Sequence, residues 1–434
     1  MRWAPGVLTI VFVLLIGFLG VGYSESADRS SEHISEKSSS LTSLVQDYLT
    51  ASDRESAQTV LSDILQYPDV SVSAVSEALK QSPKFSTHPV GLQPSQAITV
   101  RGRQYRYSLY VPPSYDSAKS YPLIVCLHGA GFTGESYVER WVPRLDDHYI
   151  LVCPTISMGA WWSRFAEDLV LKIVNTIQTD YHVKRDRIFL TGMSNGGVGA
   201  WIIGMHHADT FAGIAPMASG IDDVLFPFLD NLHNTPVYII HGLHDQVMPV
   251  SLSRTLVKEM GSRGIQHVYR EHNFTHPHAG GHFFPREELP ALVSWFDRQT
   301  RGALPQRVSV VRDATHLSNF SWVRIDATDQ IAAFSENLVD SRDSFITGKV
   351  YAKLEAEIIS PNRIAVKTKR VKRYTLFLNN DLVDLSQPVR VETNGKRSFE
   401  GIMTPNLETL LHEARRRQDP HRQFSVKLNL EISE

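Results

Sequence analysis

Thr191-Gly192-Met193-Ser194-Asn195-Gly196-Gly197 decides how this chain is read. The run Arg187-Ile188-Phe189-Leu190 ahead of it has strand character. Val198-Gly199-Ala200-Trp201-Ile202-Ile203 behind it suits a helix. A serine at such a junction is held in a strained turn with its hydroxyl pushed out of the sheet. Gly192 and Gly196 remove the side chains that would collide where strand folds back into helix. Gly-x-Ser-x-Gly alone is a common turn. Its weight here comes from the flanking elements and from partners found at other strand ends.

Working outward, apolar strands alternate with helical stretches. The strands are Leu123-Ile124-Val125-Cys126-Leu127, Ile150-Leu151-Val152-Cys153, Ile188-Phe189-Leu190, Gly213-Ile214-Ala215-Pro216, Val237-Tyr238-Ile239-Ile240 and Val268-Tyr269-Arg270. Near-continuous apolar strands of this kind predict an α/β fold, a mostly parallel sheet flanked by helices. A strand meander beginning near Gln96 precedes them. Tyr105, Tyr107, Leu109 and Val111 alternate with polar neighbours there. Leu289 to Phe296 closes the unit as a helix. The catalytic unit is thus expected over residues 96–302.

Beyond Arg301-Gly302-Ala303-Leu304-Pro305 strand patterns dominate, and Asn394-Gly395 is a strong hairpin signal. Residues 306–434 read as a mostly-β, sandwich-like accessory domain with one late helix from Leu407 to Arg417. Residues 27–95 read as a polar linker followed by a short helical preface. Met1-Arg2-Trp3 and the apolar run Val7 to Val21 have the layout of a secretory signal. The uncharged stretch from Trp3 to Tyr23 is also long enough for a bilayer, which keeps a signal-anchor open over residues 1–26. An exported protein is expected, periplasmic or extracellular, with membrane attachment only through that segment.

A chain of 434 residues with 42% hydrophobic and 21% charged residues buries a large core. A formal net charge of -2 offers no field for nucleic acid. The two cysteines, Cys126 and Cys153, sit in apolar strands and read as buried thiols, although an exported protein could pair them.

An acyl-transfer site needs a nucleophile, a base, a group orienting the base and donors for the oxyanion. Ser194 is the candidate nucleophile. The N–H of Asn195, at a helix start, is one candidate oxyanion donor. The loop Leu127-His128-Gly129-Ala130-Gly131 supplies the other at Ala130, with His128 a structural hydrogen-bonder. Asp245, past Val237–Gly242, is the candidate orienting acid; capping the next helix is its bland alternative, and Asp222 and Asp223 are rivals. His282 in Gly280-Gly281-His282-Phe283-Phe284-Pro285 is the candidate base, with His278 its main rival. Trp161 and Trp162 are candidates for an acyl or aromatic pocket, or for core.

Together Leu127–Gly131, Thr191–Gly197, Phe211–Pro216, His241-Gly242-x-x-Asp245-x-x-x-Pro249 and Gly280-Gly281-His282-x-x-Pro285 resemble the α/β-hydrolases of the polyhydroxybutyrate depolymerase and feruloyl esterase type. The resemblance covers roughly residues 97 to 300. It implies hydrolysis of carboxylic esters, polymeric ones included, by Ser194, Asp245 and His282, with no cofactor and no metal. Three rival readings stand beside it. One is a serine peptidase of the same fold. Another is a zinc site built from His272, His276, His278 and His282. The third is a surface protein binding a glycan or a partner.

Overall fold

The computed structural model describes residues 41–81, 85, 88–338 and 343–432; the predicted leader and linker lie outside them. Eight strands form one sheet: β1 (Gly91–Val100), β2 (Arg103–Val111), β3 (Tyr121–Leu127), β4 (Ile150–Thr155), β5 (Val183–Met193), β6 (Gly213–Met217), β7 (Val237–Gly242) and β8 (His267–His272). Their order is β1-β2-β4-β3-β5-β6-β7-β8. β1, β2 and β4 pair antiparallel, and every later pairing is parallel. β3 and β7 are buried almost throughout, as strands covered on both faces must be. The sheet starts at Gly91, ahead of the alternation read from Gln96. Pro94 and Ser95 interrupt the pattern there, and the β1–β2 register shifts at that point.

Helices α4 (Gly134–Trp141), α5 (Arg164–Asp180), α6 (Asn195–His206), α7 (Ser251–Arg263) and α8 (Leu289–Arg298) cover the sheet. α5 shows why. Ser163 caps its start by accepting from the N–H of Ala166, and Leu169, Val170, Ile173, Val174 and Ile177 make one apolar face. α6 is buried on nearly every side, so it lies inside the protein rather than on it. Cys126 and Cys153 are buried in β3 and β4, with no disulfide.

The C-terminal part is built from β9 (Arg307–Arg312), β10 (Asn319–Phe320), β11 (Val323–Thr328), the short helix α9 (Ser344–Thr347), β12 (Ala352–Ser360), β13 (Arg363–Lys369), β14 (Val371–Leu378), β15 (Val389–Thr393), β16 (Lys396–Gly401) and β17 (Val426–Glu431). The strands form a four-stranded sheet, β10-β11-β14-β17, and a five-stranded sheet, β16-β15-β13-β12-β9. Both contribute to one core, with Leu354, Ile364 and Val366 from one sheet and Val323, Tyr374 and Leu376 from the other. Asn394 and Gly395 both take positive φ, 51° and 81°, as a tight hairpin between β15 and β16 requires.

Two features join distant parts. The core of the β part is continuous with one face of the α/β part. The preface helices α1 (residues 41–50), α2 (Arg54–Leu65) and α3 (Val72–Lys80) pack on α10 (Leu407–Arg417), where Val45, Tyr48, Leu61, Ile64 and Val75 meet Leu410 and Leu411. Among the described residues no helix is long and apolar enough to cross a membrane.

Candidate active site

Ser194 ends β5 and starts α6 with φ 59° and ψ -124°, a conformation that L-residues rarely adopt. The strain is held by the surroundings. Its N–H donates to the carbonyl of Met217, and its carbonyl accepts from Val198. A Cβ on Gly192 would lie 2.3 Å from the carbonyl oxygen of Gly196; one on Gly196 would lie 2.0 Å from that of Leu127. Only glycine lets strand, turn and helix close up this far. Ser194 is buried, with 8% of its surface exposed.

Asp245 and His282 meet. His282 Nδ1 lies 2.8 Å from Asp245 Oδ2. The other carboxylate oxygen accepts from the N–H groups of Val247 and Met248, both at 2.8 Å. Burial pushes this carboxyl upward, but bonds from His241, His282 and the two backbone N–H groups outweigh it and hold it far below the usual range. Asp245 stays an anion and accepts a hydrogen bond from Nδ1–H of His282. That leaves His282 Nε2 bare, the tautomer a base needs. The loop carrying His282 is locked on the end of β7, where Gly281 N–H donates to His244 O and Gly242 and Gly281 pack backbone to backbone.

His128 is structural. Nε2 accepts from the N–H of Ile156 at 3.2 Å, so Nδ1 carries the proton and donates to Gly129 O at 2.8 Å. Burial lowers its pKa and keeps the ring neutral. It fixes the loop holding Ala130, whose neighbour Gly129 is so close to Ser194 that a Cβ there would sit 3.4 Å from Ser194 Cβ. Asn195 opens α6 and donates its side-chain amide to Met158 O at 3.0 Å.

Trp161 is no pocket wall. It is fully buried and donates its indole N–H to His128 O at 2.8 Å. Its Cβ abuts Gly199, so the large ring packs beneath the site as core. Trp162 is half-buried against the same core. The apolar surface around the site comes instead from Met158, Val247 and Phe274, which are 66%, 55% and 48% exposed on the loops after β4, β7 and β8. A cleft of about 430 Å³ opens beyond His282 between Phe274, His276, Phe283, Phe284, Arg140 and Arg286. Phe283 lies edge-on against the imidazole, with centroids 5.9 Å apart.

The rivals are placed too. Asp222 caps a 3₁₀ helix through Val224, and Asp223 pairs with Lys349 at 2.8 Å. His276 Nδ1 accepts from the His278 N–H. Among the described residues the side chains arranged to hold a metal ion are Glu167, His206 and His316, not the histidines of 272–282. His206 sits at the far end of α6 from Ser194, roughly 18 Å by helix rise.

His241 went unread in the sequence. It is buried at the end of β7, with Nε2 2.9 Å from Met248 O and 3.2 Å from Asp245 Oδ2, and Nδ1 2.7 Å from Ser253 Oγ. It buttresses Asp245 from below. Its only sequence signal is its place in His241-Gly242-x-x-Asp245.

Residues 98–235 match a family described as "Putative esterase". The α/β part has the α/β-hydrolase fold and is similar in sequence to esterases of the feruloyl type. The matched span holds Ser194 and both oxyanion candidates, and stops short of Asp245 and His282. This hydrolase unit is 28% identical over 163 residues to a protein named probable feruloyl esterase C of Aspergillus terreus, covering 35% of this chain and 58% of that one. It is 28% identical over 178 residues to feruloyl esterase C of Emericella nidulans, covering 37% and 63%. The chain therefore spans about three-fifths of the length of these relatives. A solved thermostable esterase overlays with a TM-score of 0.41 at 26% identity, covering 48% of this chain and 64% of that one.

Proposed function

We propose that the protein is a serine esterase that cleaves carboxylic esters through an acyl-enzyme. The observation that carries this reading is the 2.8 Å bond from His282 Nδ1 to Asp245, on the loops that follow β8 and β7, at the edge of the parallel sheet where β5 delivers Ser194 at positive φ. Ser194 Oγ attacks the ester carbonyl as His282 Nε2 takes its proton. The N–H groups of Asn195 and Ala130 hold the oxyanion, where the start of α6 adds its positive end. His282 then protonates the leaving alcohol, water attacks the acyl-serine, and the same proton path runs again. No step calls for a metal.

The exposed ring of Met158, Val247 and Phe274 supports an apolar or aromatic acyl group, with polymer-linked feruloyl esters and polyesters as the substrates to try first. We further propose that residues 96–302 act as the catalytic domain of an exported enzyme, with residues 306–434 as its accessory domain. The experiment is fluorophosphonate labelling of the purified chain with peptide mapping, alongside hydrolysis of aryl acetates, feruloyl esters and dipeptidyl substrates. Label on Ser194, lost in His282→Ala, and turnover of esters are expected. Full esterase activity in Ser194→Ala, or turnover of dipeptides alone, overturns the reading.

A further inference from the structure

The seam between the α/β part and the β part buries a second cluster of histidines and acids. Glu167 lies in the first turn of α5. His206 and His207 end α6, and Asp313 and His316 follow β9. All except His207 are buried. Glu167 is the hub: Oε1 lies 2.5 Å from His206 Nδ1, and Oε2 lies 2.7 Å from His316 Nε2 and 3.9 Å from His207 Nε2.

We propose that Glu167, His206, His207 and His316 form a structural zinc site that clamps the two parts of the chain together. Three imidazole nitrogens meet one carboxylate, His206 at Oε1 and His207 and His316 at Oε2, with the His206 and His316 rings stacked 4.1 Å apart. A tetrahedral zinc ion with bonds of about 2.0–2.1 Å sets its ligand atoms about 3.3 Å apart. The separations of 2.5 Å at one carboxylate oxygen and 2.7 Å at the other must open to reach this, and His207 Nε2, 3.9 Å from Oε2, must swing in as the fourth donor. The donors of Glu167, His206 and His316 already lie within 4.8 Å of one another. Three nitrogens and one carboxylate oxygen select zinc over the oxygen-seeking magnesium and calcium.

Two further observations point to an ion. His316 Nδ1 lies 2.5 Å from Asp313 Oδ1, the outer carboxylate that orients a ligating histidine. Asp313 is itself fixed by the N–H of Phe334 at 2.9 Å. The second is His206, whose ring is 1% exposed and whose Nε2 has no hydrogen-bond partner. That ring meets Phe228 at 80°, with centroids 5.0 Å apart. An aromatic face accepts an N–H weakly and offers a lone pair nothing. His206 Nδ1, on the other side of the ring, lies 2.5 Å from Glu167 Oε1, where an ion would take the place of the shared proton. The half-buried His207 leaves a way in from solvent. With all four positions taken by protein, the ion would hold structure and leave ester chemistry untouched.

The test uses the full chain, purified without a histidine tag, loaded with zinc, dialysed and measured by inductively coupled plasma mass spectrometry. One zinc per chain is expected, with a Tm that rises with zinc and falls with chelator. His207→Asn, at the least buried ligand, keeps the fold and is expected to weaken zinc binding at least tenfold; Glu167→Gln abolishes it. His276→Asn/His278→Asn is expected to bind as wild type. Cobalt in place of zinc gives the intense visible bands of a tetrahedral site. No retained zinc together with a Tm indifferent to zinc and chelator overturns the proposal, and means that protons alone hold the cluster. Undiminished binding in both His207→Asn and Glu167→Gln overturns it equally.

Discussion

Replacing Asp245 by asparagine isolates the central geometric claim. The carboxylate has no exposed surface and two unlike sides. Oδ1 accepts from two backbone N–H groups; Oδ2 faces His282 Nδ1 and His241 Nε2. In the variant the amide oxygen belongs against the backbone donors, which cannot turn away. The NH₂ then faces His282, and an N–H meeting an N–H forces the imidazole into its other tautomer. Nε2 becomes protonated and cannot take the Ser194 proton. A wrong tautomer costs on the order of 10⁴ in kcat, about 5 kcal/mol of transition-state stabilisation. The assay is kcat on an aryl acetate, with fluorophosphonate labelling rate and unfolding midpoint measured on the same sample. Adding the change to Ser194→Ala should cost almost nothing more, because the residues act as a unit. A folded Asp245→Asn enzyme with kcat within tenfold of wild type refutes the reasoning.

Gly196→Ala puts a methyl group 2.0 Å from a carbonyl oxygen that cannot retreat, so an unfolding free energy lowered by about 1–3 kcal/mol is expected by denaturant titration. Asp209→Ala leaves the buried Arg422, bonded to it at 3.0 Å, without that partner and the Ser321 N–H without its acceptor; a loss of about 3 kcal/mol should appear in the same measurement. Burial lowers the His128 pKa, so the unfolded chain binds a proton that the folded chain refuses, and stability falls as pH drops below about 6.5 toward the folded value. A stability–pH series should show a shallower acid slope in His128→Asn, whatever its absolute stability. Met158→Ala removes an exposed apolar side chain beside the candidate nucleophile and should lower kcat/KM for long acyl or feruloyl esters about five- to tenfold, through KM, with little change for acetates.

What the sequence revealed followed distance along the chain. The Ser194 turn was legible because strand, glycine pair and helix lie within seventeen residues, and each leaves its own periodic mark. Asp245 and His282 became visible through their order after later strands, although nothing local distinguishes a triad aspartate from a cap. Trp161 was ambiguous between pocket and core because tryptophan serves both; its indole bond to His128 O exists only in three dimensions. His241 was hidden for the same reason, since its partners are a carbonyl, a hydroxyl and an acid brought together by a loop. Glu167, His206 and His316 were out of reach, for their spacing of 39 and 110 residues matches no local ligand motif. The docking of the preface was equally invisible, because apolar helical faces do not name their partners.

That docking governs how the protein can be made. Tyr48 bonds His412, and Arg415 reaches back to the carbonyls of Tyr48 and Ala51, contacts separated by 364 or more positions. The three opening helices leave the ribosome with their greasy stripe bare and must wait for almost the whole chain before α10 arrives to cover it. Closing so long a loop is slow compared with local folding. A product broken off before Leu407 would carry that stripe permanently uncovered, making it a natural handle for chaperones and proteases that remove unfinished chains.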